Sequence, residues 1–195
     1  MRPQKINSPK LKLDLKLALK LDLKINPAGY IETAMQISSP NFDARPENTI
    51  IDLIVIHNIS LPPNEYGGAG VVHLFTNQLN PNEHPYYAEI YTHKVSSHFF
   101  IRRDGQLLQF VSCLQRAWHA GVSSWQGRER CNDFSVGIEL EGSDFDAFES
   151  AQYKTLQAVI ACIKKTYPIQ QVVGHSDIAP GRKTDPGPYF EWAKI

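Results

Sequence analysis

Two imidazoles, two carboxylates and an ammonium are the groups in this chain whose types and spacing suit chemistry. The stretch Gly174-His-Ser-Asp-Ile-Ala-Pro-Gly-Arg-Lys-Thr-Asp-Pro-Gly-Pro188 sets His175 ten residues before Asp185, with Lys183 between them. Pro180, Gly181, Pro186, Gly187 and Pro188 make this segment a run of stiff turns, which hold side chains still. Far upstream, Ile51-Asp-Leu-Ile-Val-Ile-His57 ends an apolar run on a second imidazole. Two His and one Asp suit a zinc site with three protein ligands and a fourth position open to water. Zinc lowers the pKa of such a water from about 15.7 toward 7 and polarises a carbonyl. A nearby carboxylate can then accept the water's proton and pass one to a leaving nitrogen. Lys183 lies between two of the candidate ligands, a position that suits stabilising an oxyanion, worth on the order of 3 kcal/mol for one good donor. The bland alternative for Lys183 is a solvated loop cation.

Glu139 and Glu141 lie in Val136-Gly-Ile-Glu-Leu-Glu-Gly142, where alternation puts both on one face of a strand. Glu139, deeper in the strand, is the candidate base. Glu141 reads as a solvent-facing edge residue. Arg128 and Arg130 flank Glu129 and suit either a grip on substrate carboxylates or a local salt bridge. Trp118-His119-Ala-Gly121 suits a stacking or hydrogen-bonding wall, or a buried aromatic beside a turn. His73, His84, His93 and His98 read as structural or surface residues.

The elements that must position these groups are legible in outline. Ile50 to Ile56 is a nearly continuous β-branched and Leu run, the pattern of a strand buried on both faces. Val71 to Leu79 suits a short helix, and the Pro-, Asn-, His- and Tyr-rich stretch 80–93 suits a loop. His98 to Val111 reads as a hairpin turning at Arg103-Asp-Gly105. Phe134 to Leu140 is a further strand. Ser150 to Tyr167 is the clearest helix, with Tyr153, Leu156, Ile160, Ile163 and Tyr167 at spacings of three and four. Gln170 to Val173 is a short strand that delivers His175. Residues 30–49 read as loop and turns. These elements predict an α/β fold, a single domain with a central mixed β-sheet flanked by helices.

The 195 residues suffice for one domain with a real core. The formal net charge is zero, but residues 1–29 hold seven Lys/Arg against two Asp/Glu, and the remainder is correspondingly acidic. An acidic globular part argues against nucleic acid as a partner. Three Cys without CxxC spacing argue against a disulfide framework and fit a reducing compartment. No apolar run reaches the roughly 20 residues that span a bilayer, so a cytoplasmic location is expected. Residues 10–25 alternate Leu with Lys, Asp or Ala before ending on Ile25. The expected division is a low-complexity, poorly ordered tail over 1–28 and a catalytic domain over 29–195. The other reading of the tail is an amphipathic segment that touches anionic lipid.

The runs His57-Asn-Ile-Ser-Leu-Pro-Pro63, Arg102-Arg-Asp-Gly105, Arg116-Ala-Trp-His-Ala-Gly121, Arg128 to Gly142 and Gly174 to Pro188 together resemble the zinc N-acetylmuramoyl-L-alanine amidases over about residues 29–193. The resemblance is to the branch that acts on 1,6-anhydro-muramyl peptides in peptidoglycan recycling. It implies an amidase-2 or peptidoglycan-recognition fold and one zinc ion held by His57, His175 and Asp185. It makes Glu139 the proton acceptor and Lys183 the transition-state stabiliser. It places Asn58, His119 and Arg130 along an anhydro-muropeptide, with Lys94 standing where relatives carry Arg. A lysine there keeps the charge and loses the bidentate fork. The tail lies outside the family pattern. The alternative is a muropeptide-binding module without catalysis, disfavoured because all three ligand positions carry competent residues.

Overall fold

The computed structural model describes residues 23–195. Ten strands are described: β1 (Met35–Gln36), β2 (Phe42–Ala44), β3 (Leu53–Ile59), β4 (Phe99–Ile101), β5 (Leu107–Gln109), β6 (Gln115–Ala117), β7 (Ser124–Trp125), β8 (Arg128–Glu129), β9 (Ser135–Glu141) and β10 (Gln171–Gly174). Four α-helices join them: α1 (Gly70–Phe75), α2 (Pro85–Ile90), α3 (Ser150–Thr166) and α4 (His175–Ile178). Six strands form the main sheet in the order β1-β5-β4-β9-β3-β10. Only the β4–β5 hairpin is antiparallel; the other four pairings are parallel. The expected mixed sheet with flanking helices is what forms.

The two central strands explain the architecture. β9 is buried along its whole length and β3 over its first five residues, as parallel strands covered on both faces should be. Alternation then sorts their side chains. Ile54, Ile56, Ile138 and Leu140 join Tyr153, Leu156, Ile160 and Ile163 of α3 in one core. Leu53 and Val55 face the other way and pack with Val173, Phe134 and Ile178. A third cluster gathers Val71, Leu74 and Phe75 of α1 with Tyr87 and Ile90 of α2 over Phe100 and Leu108. Helix α3 starts where Gln152 Oε1 accepts from the Glu149 N–H at 2.9 Å. The Gln152 amide also donates to the carbonyls of Ile101 and Glu141, tying the helix to two strands.

Three expectations are corrected. The stretch 80–93 is not all loop, because Pro85 opens α2 and His84 Nδ1 accepts from the Tyr86 N–H at 3.1 Å. Residues 30–49 contain β1 and β2, each too short to show a period. The expectation of poor order does not hold for residues 23–28, where Leu23 is buried in the main core and Ile25 pairs with Ile31. Of the tail, residues 1–22 lie outside the described residues, so neither reading of it is addressed.

Candidate active site

Strands β4, β9, β3 and β10 run the same way, so their carboxyl ends lie together, where open α/β sheets place ligands. His57 is the fifth residue of β3 and pairs in register with Glu139, the fifth residue of β9. β10 lies on the other side of β3, and His175 follows its last residue directly. The loop carrying Asp185 folds back onto that point: the Ser176 N–H donates to the Asp185 carbonyl at 2.9 Å. Gly174 permits this approach, since a Cβ there would lie 2.8 Å from Pro186 Cδ.

These elements bring three ligand atoms together. His57 Nδ1 lies 2.9 Å from Asp185 Oδ2 and 3.0 Å from His175 Nδ1, and His175 Nδ1 lies 3.1 Å from the same Oδ2. Tetrahedral zinc with bonds near 2.0–2.1 Å separates its ligands by about 3.3 Å, so the donor set and its spacing fit zinc. The far nitrogens are also occupied. His175 Nε2 lies 3.0 Å from the Ala120 carbonyl, which can only accept, so in the neutral ring Nδ1 is left bare for a metal. His57 Nε2 lies 3.0 Å from His119 Nδ1.

Electrostatics sharpens the picture. Burial drives Asp185 up, but the adjacent His175 and His57 rings outweigh it and hold its carboxyl below the usual range. Burial lowers His57, with the Asp185 contact opposing. Burial, reinforced by the charge of Asp185 and opposed by Lys183, pushes Glu139 well above the ordinary carboxylate value. Glu139 Oε2 is buried with no hydrogen-bond partner. His57, Glu139, His175, Lys183 and Asp185 all line one cavity of about 640 Å³.

The family model for N-acetylmuramoyl-L-alanine amidase matches residues 47–188. The chain belongs to this amidase family. The 1,6-anhydro-N-acetylmuramyl-L-alanine amidase AmpD of Escherichia coli (strain K12) is 52% identical over 169 residues, 86% of this chain and 92% of its own. A crystal structure of a Se-Met AmpD derivative has a TM-score of 0.84 at 53% identity, covering 86% of this chain and 94% of that one. The E. coli amidase AmiD, in complex with its substrate anhydro-N-acetylmuramic acid-L-Ala-D-gamma-Glu-L-Lys, has a TM-score of 0.56 at 28% identity, covering 90% of this chain and 65% of that one.

In this amidase the other expected residues divide. Asn58 lines the cavity, its amide donating to Asp144 Oδ1 at 2.8 Å. His119 lines the cavity too, yet both its ring nitrogens are engaged, with His57 and with Ser135 Oγ at 3.1 Å. Lys94 is exposed and absent from the cavity wall, although its neighbours His93 and Val95 are part of it. Arg130 sits in a left-handed turn, 3.4 Å from Asp133, in a separate hollow beside Val122 and Pro180. The structure therefore does not bring Lys94 or Arg130 to the reacting groups. Arg128 makes a two-pronged ion pair with Asp52. Glu141 is not a solvent-facing edge. It is buried, and its two oxygens accept from the N–H groups of Gly67 and Arg103. Sequence reasoning missed Asp144, Ser135 and Arg182. Arg182 lines the cavity and donates to the carbonyls of Ala120 and Val122. No periodicity or spacing marks them, because each acts through a contact distant in sequence.

Proposed function

We propose that this chain is a zinc hydrolase of cell-wall recycling. It would cleave the amide between the lactyl group of 1,6-anhydro-N-acetylmuramic acid and L-alanine of the stem peptide. The observation that carries this reading is the meeting of His57 Nδ1, His175 Nδ1 and Asp185 Oδ2 with the unpartnered Glu139 Oε2 in one cavity. The names of relatives such as AmpD support the choice of substrate. His57, His175 and Asp185 would hold the metal. When bound, zinc supplies Lewis acidity, acidifying a water toward neutral pH and polarising the scissile carbonyl.

The chain's own residues do the rest. Glu139 accepts a proton from the attacking water at its carboxylate and passes one to the departing alanine nitrogen. Burial raises its pKa, the direction that makes the carboxylate a stronger base. Lys183 opposes that rise with its charge. Its ammonium, in the same cavity, stabilises negative charge gathering on the carbonyl oxygen. Asn58, braced by Asp144, presents a polar wall to the substrate. A cytoplasmic setting suits three buried cysteines that form no disulfide.

The test is metal analysis beside activity. One zinc per chain and loss of hydrolysis on its removal are expected. Undiminished hydrolysis by metal-free protein would sink the zinc mechanism. Stoichiometric zinc with no hydrolysis of any muropeptide would favour a binding module.

A further inference from the structure

The wall behind the candidate metal centre is built with more care than a cavity lining needs. Gly137 lies two residues before Glu139 on β9 and faces the same side. Its missing side chain leaves room for the His119 ring: a Cβ on Gly137 would lie 2.5 Å from His119 Cγ. The ring is held at both ends, by His57 Nε2 at 3.0 Å and by Ser135 Oγ at 3.1 Å. The segment bearing it is clamped as well. Asn132 Oδ1 accepts from the N–H groups of both His119 and Ala120, at 3.1 and 2.8 Å. The Ala120 carbonyl in turn meets His175 Nε2 at 3.0 Å. Two consecutive residues thus touch the far nitrogens of both candidate ligand imidazoles.

We propose that His119–Ala120, fixed by Asn132, is a positioning element that presets both imidazoles to offer Nδ1 to the metal, and that His119 is not a substrate contact. The hydrogen bonds give the direction. The Ala120 carbonyl can only accept, so His175 carries its hydrogen on Nε2. If His57 likewise binds metal through Nδ1, its Nε2–H donates to His119 Nδ1, and His119 Nε2–H donates to Ser135 Oγ. Such outer partners fix tautomer and ring orientation, and their loss commonly weakens metal binding about 10–100-fold. The inference rests on the reading that His57, His175 and Asp185 bind zinc.

Two measurements on the full chain test it. Chelator competition should show that His119→Ala weakens zinc binding about 10–100-fold. His119→Asn should recover most of the loss, because the Asn carbonyl oxygen can replace Nδ1 as acceptor. KM of the zinc-saturated variants should stay near that of the wild type. The second measurement needs no variant. Imidazole nitrogen NMR of the zinc-loaded wild type should find the hydrogen on Nε2 of His57, His119 and His175. Zinc affinity of His119→Ala within about twofold of wild type, with a raised KM, would make His119 a substrate wall and overturn the proposal. A hydrogen on His119 Nδ1 would overturn it as well. Failure of the wild type to take up zinc is a different result: it removes the zinc reading, and the positioning role toward that metal with it.

Discussion

Glu139 is a buried carboxylate with one oxygen left without a partner, an arrangement that costs stability and is kept where chemistry needs it. Glu139→Gln should lower turnover by about 10²- to 10⁴-fold, the usual share of a general base, while zinc analysis still finds the metal. Turnover within a few-fold of wild type would remove Glu139 from the proton transfer. Its titration also predicts a stability effect. Burial and the Asp185 charge raise the Glu139 pKa, with Lys183 opposing. A carboxyl raised on folding is not penalised below its unfolded pKa, and it costs stability as pH rises through the folded value. Zinc-free Glu139→Gln should therefore match wild type in Tm near about pH 4 and exceed it increasingly as the pH climbs. A Tm difference that does not change with pH would contradict the shift. At this scale the sequence was most readable where turn residues crowd, as around His175 and Asp185. It was least readable for His119, whose contact with His57 spans 62 positions and needs the bare α-carbon of Gly137. Glu141 shows the limit of a period-two pattern. Alternation gives its face, but the Gly67 and Arg103 segments that cover that face come from elsewhere in the chain.

Among the elements, β9 depends on a residue outside the sheet. Arg45 follows β2 directly, and its guanidinium donates to the carbonyls of Cys113, Asn132, Asp133 and Ser135. It also meets His98 Nε2 at 3.1 Å, and His98 Nδ1 accepts from the Gly137 N–H at 3.0 Å. Burial, with the charge of Arg45, lowers His98 to about 3, so this ring is neutral and structural. Burial lowers Arg45 itself to about 10, well above neutral pH, so the cation persists. Replacing Arg45 by Met strands several buried acceptors, each costing about 1–3 kcal/mol. Urea unfolding should show a loss of at least about 3 kcal/mol; a loss under about 1 kcal/mol would mean that water or movement satisfies those carbonyls. Long periodic elements such as α3 were legible because packing imposes their period. α2 was not, since six residues give no period and its start rests on Pro85 and the His84 cap.

For the molecule as a whole, one sheet gathers the reacting groups at the carboxyl ends of its parallel strands, and a segment before residue 29 helps close the core. Leu23 is 6% exposed, packed in the main cluster. A chain beginning at residue 29 should be less stable than one beginning at residue 23 by about 1.5–3 kcal/mol, the worth of one buried Leu. Equal denaturation midpoints would show that Leu23 contributes nothing. The Leu alternation over residues 11–23 hid the docking of Leu23, because a repeat sets no one Leu apart from the next. The central claim is that this fold and its three-ligand centre hydrolyse an anhydro-muramyl amide. The most direct test is mass spectrometry of the products from an anhydro-muramyl tripeptide and its reducing-sugar counterpart, with and without a chelator. Free tripeptide, released faster from the anhydro sugar and suppressed by the chelator, is the expected result. Intact substrate after incubation with zinc-loaded protein, or release that the chelator leaves unchanged, would contradict it.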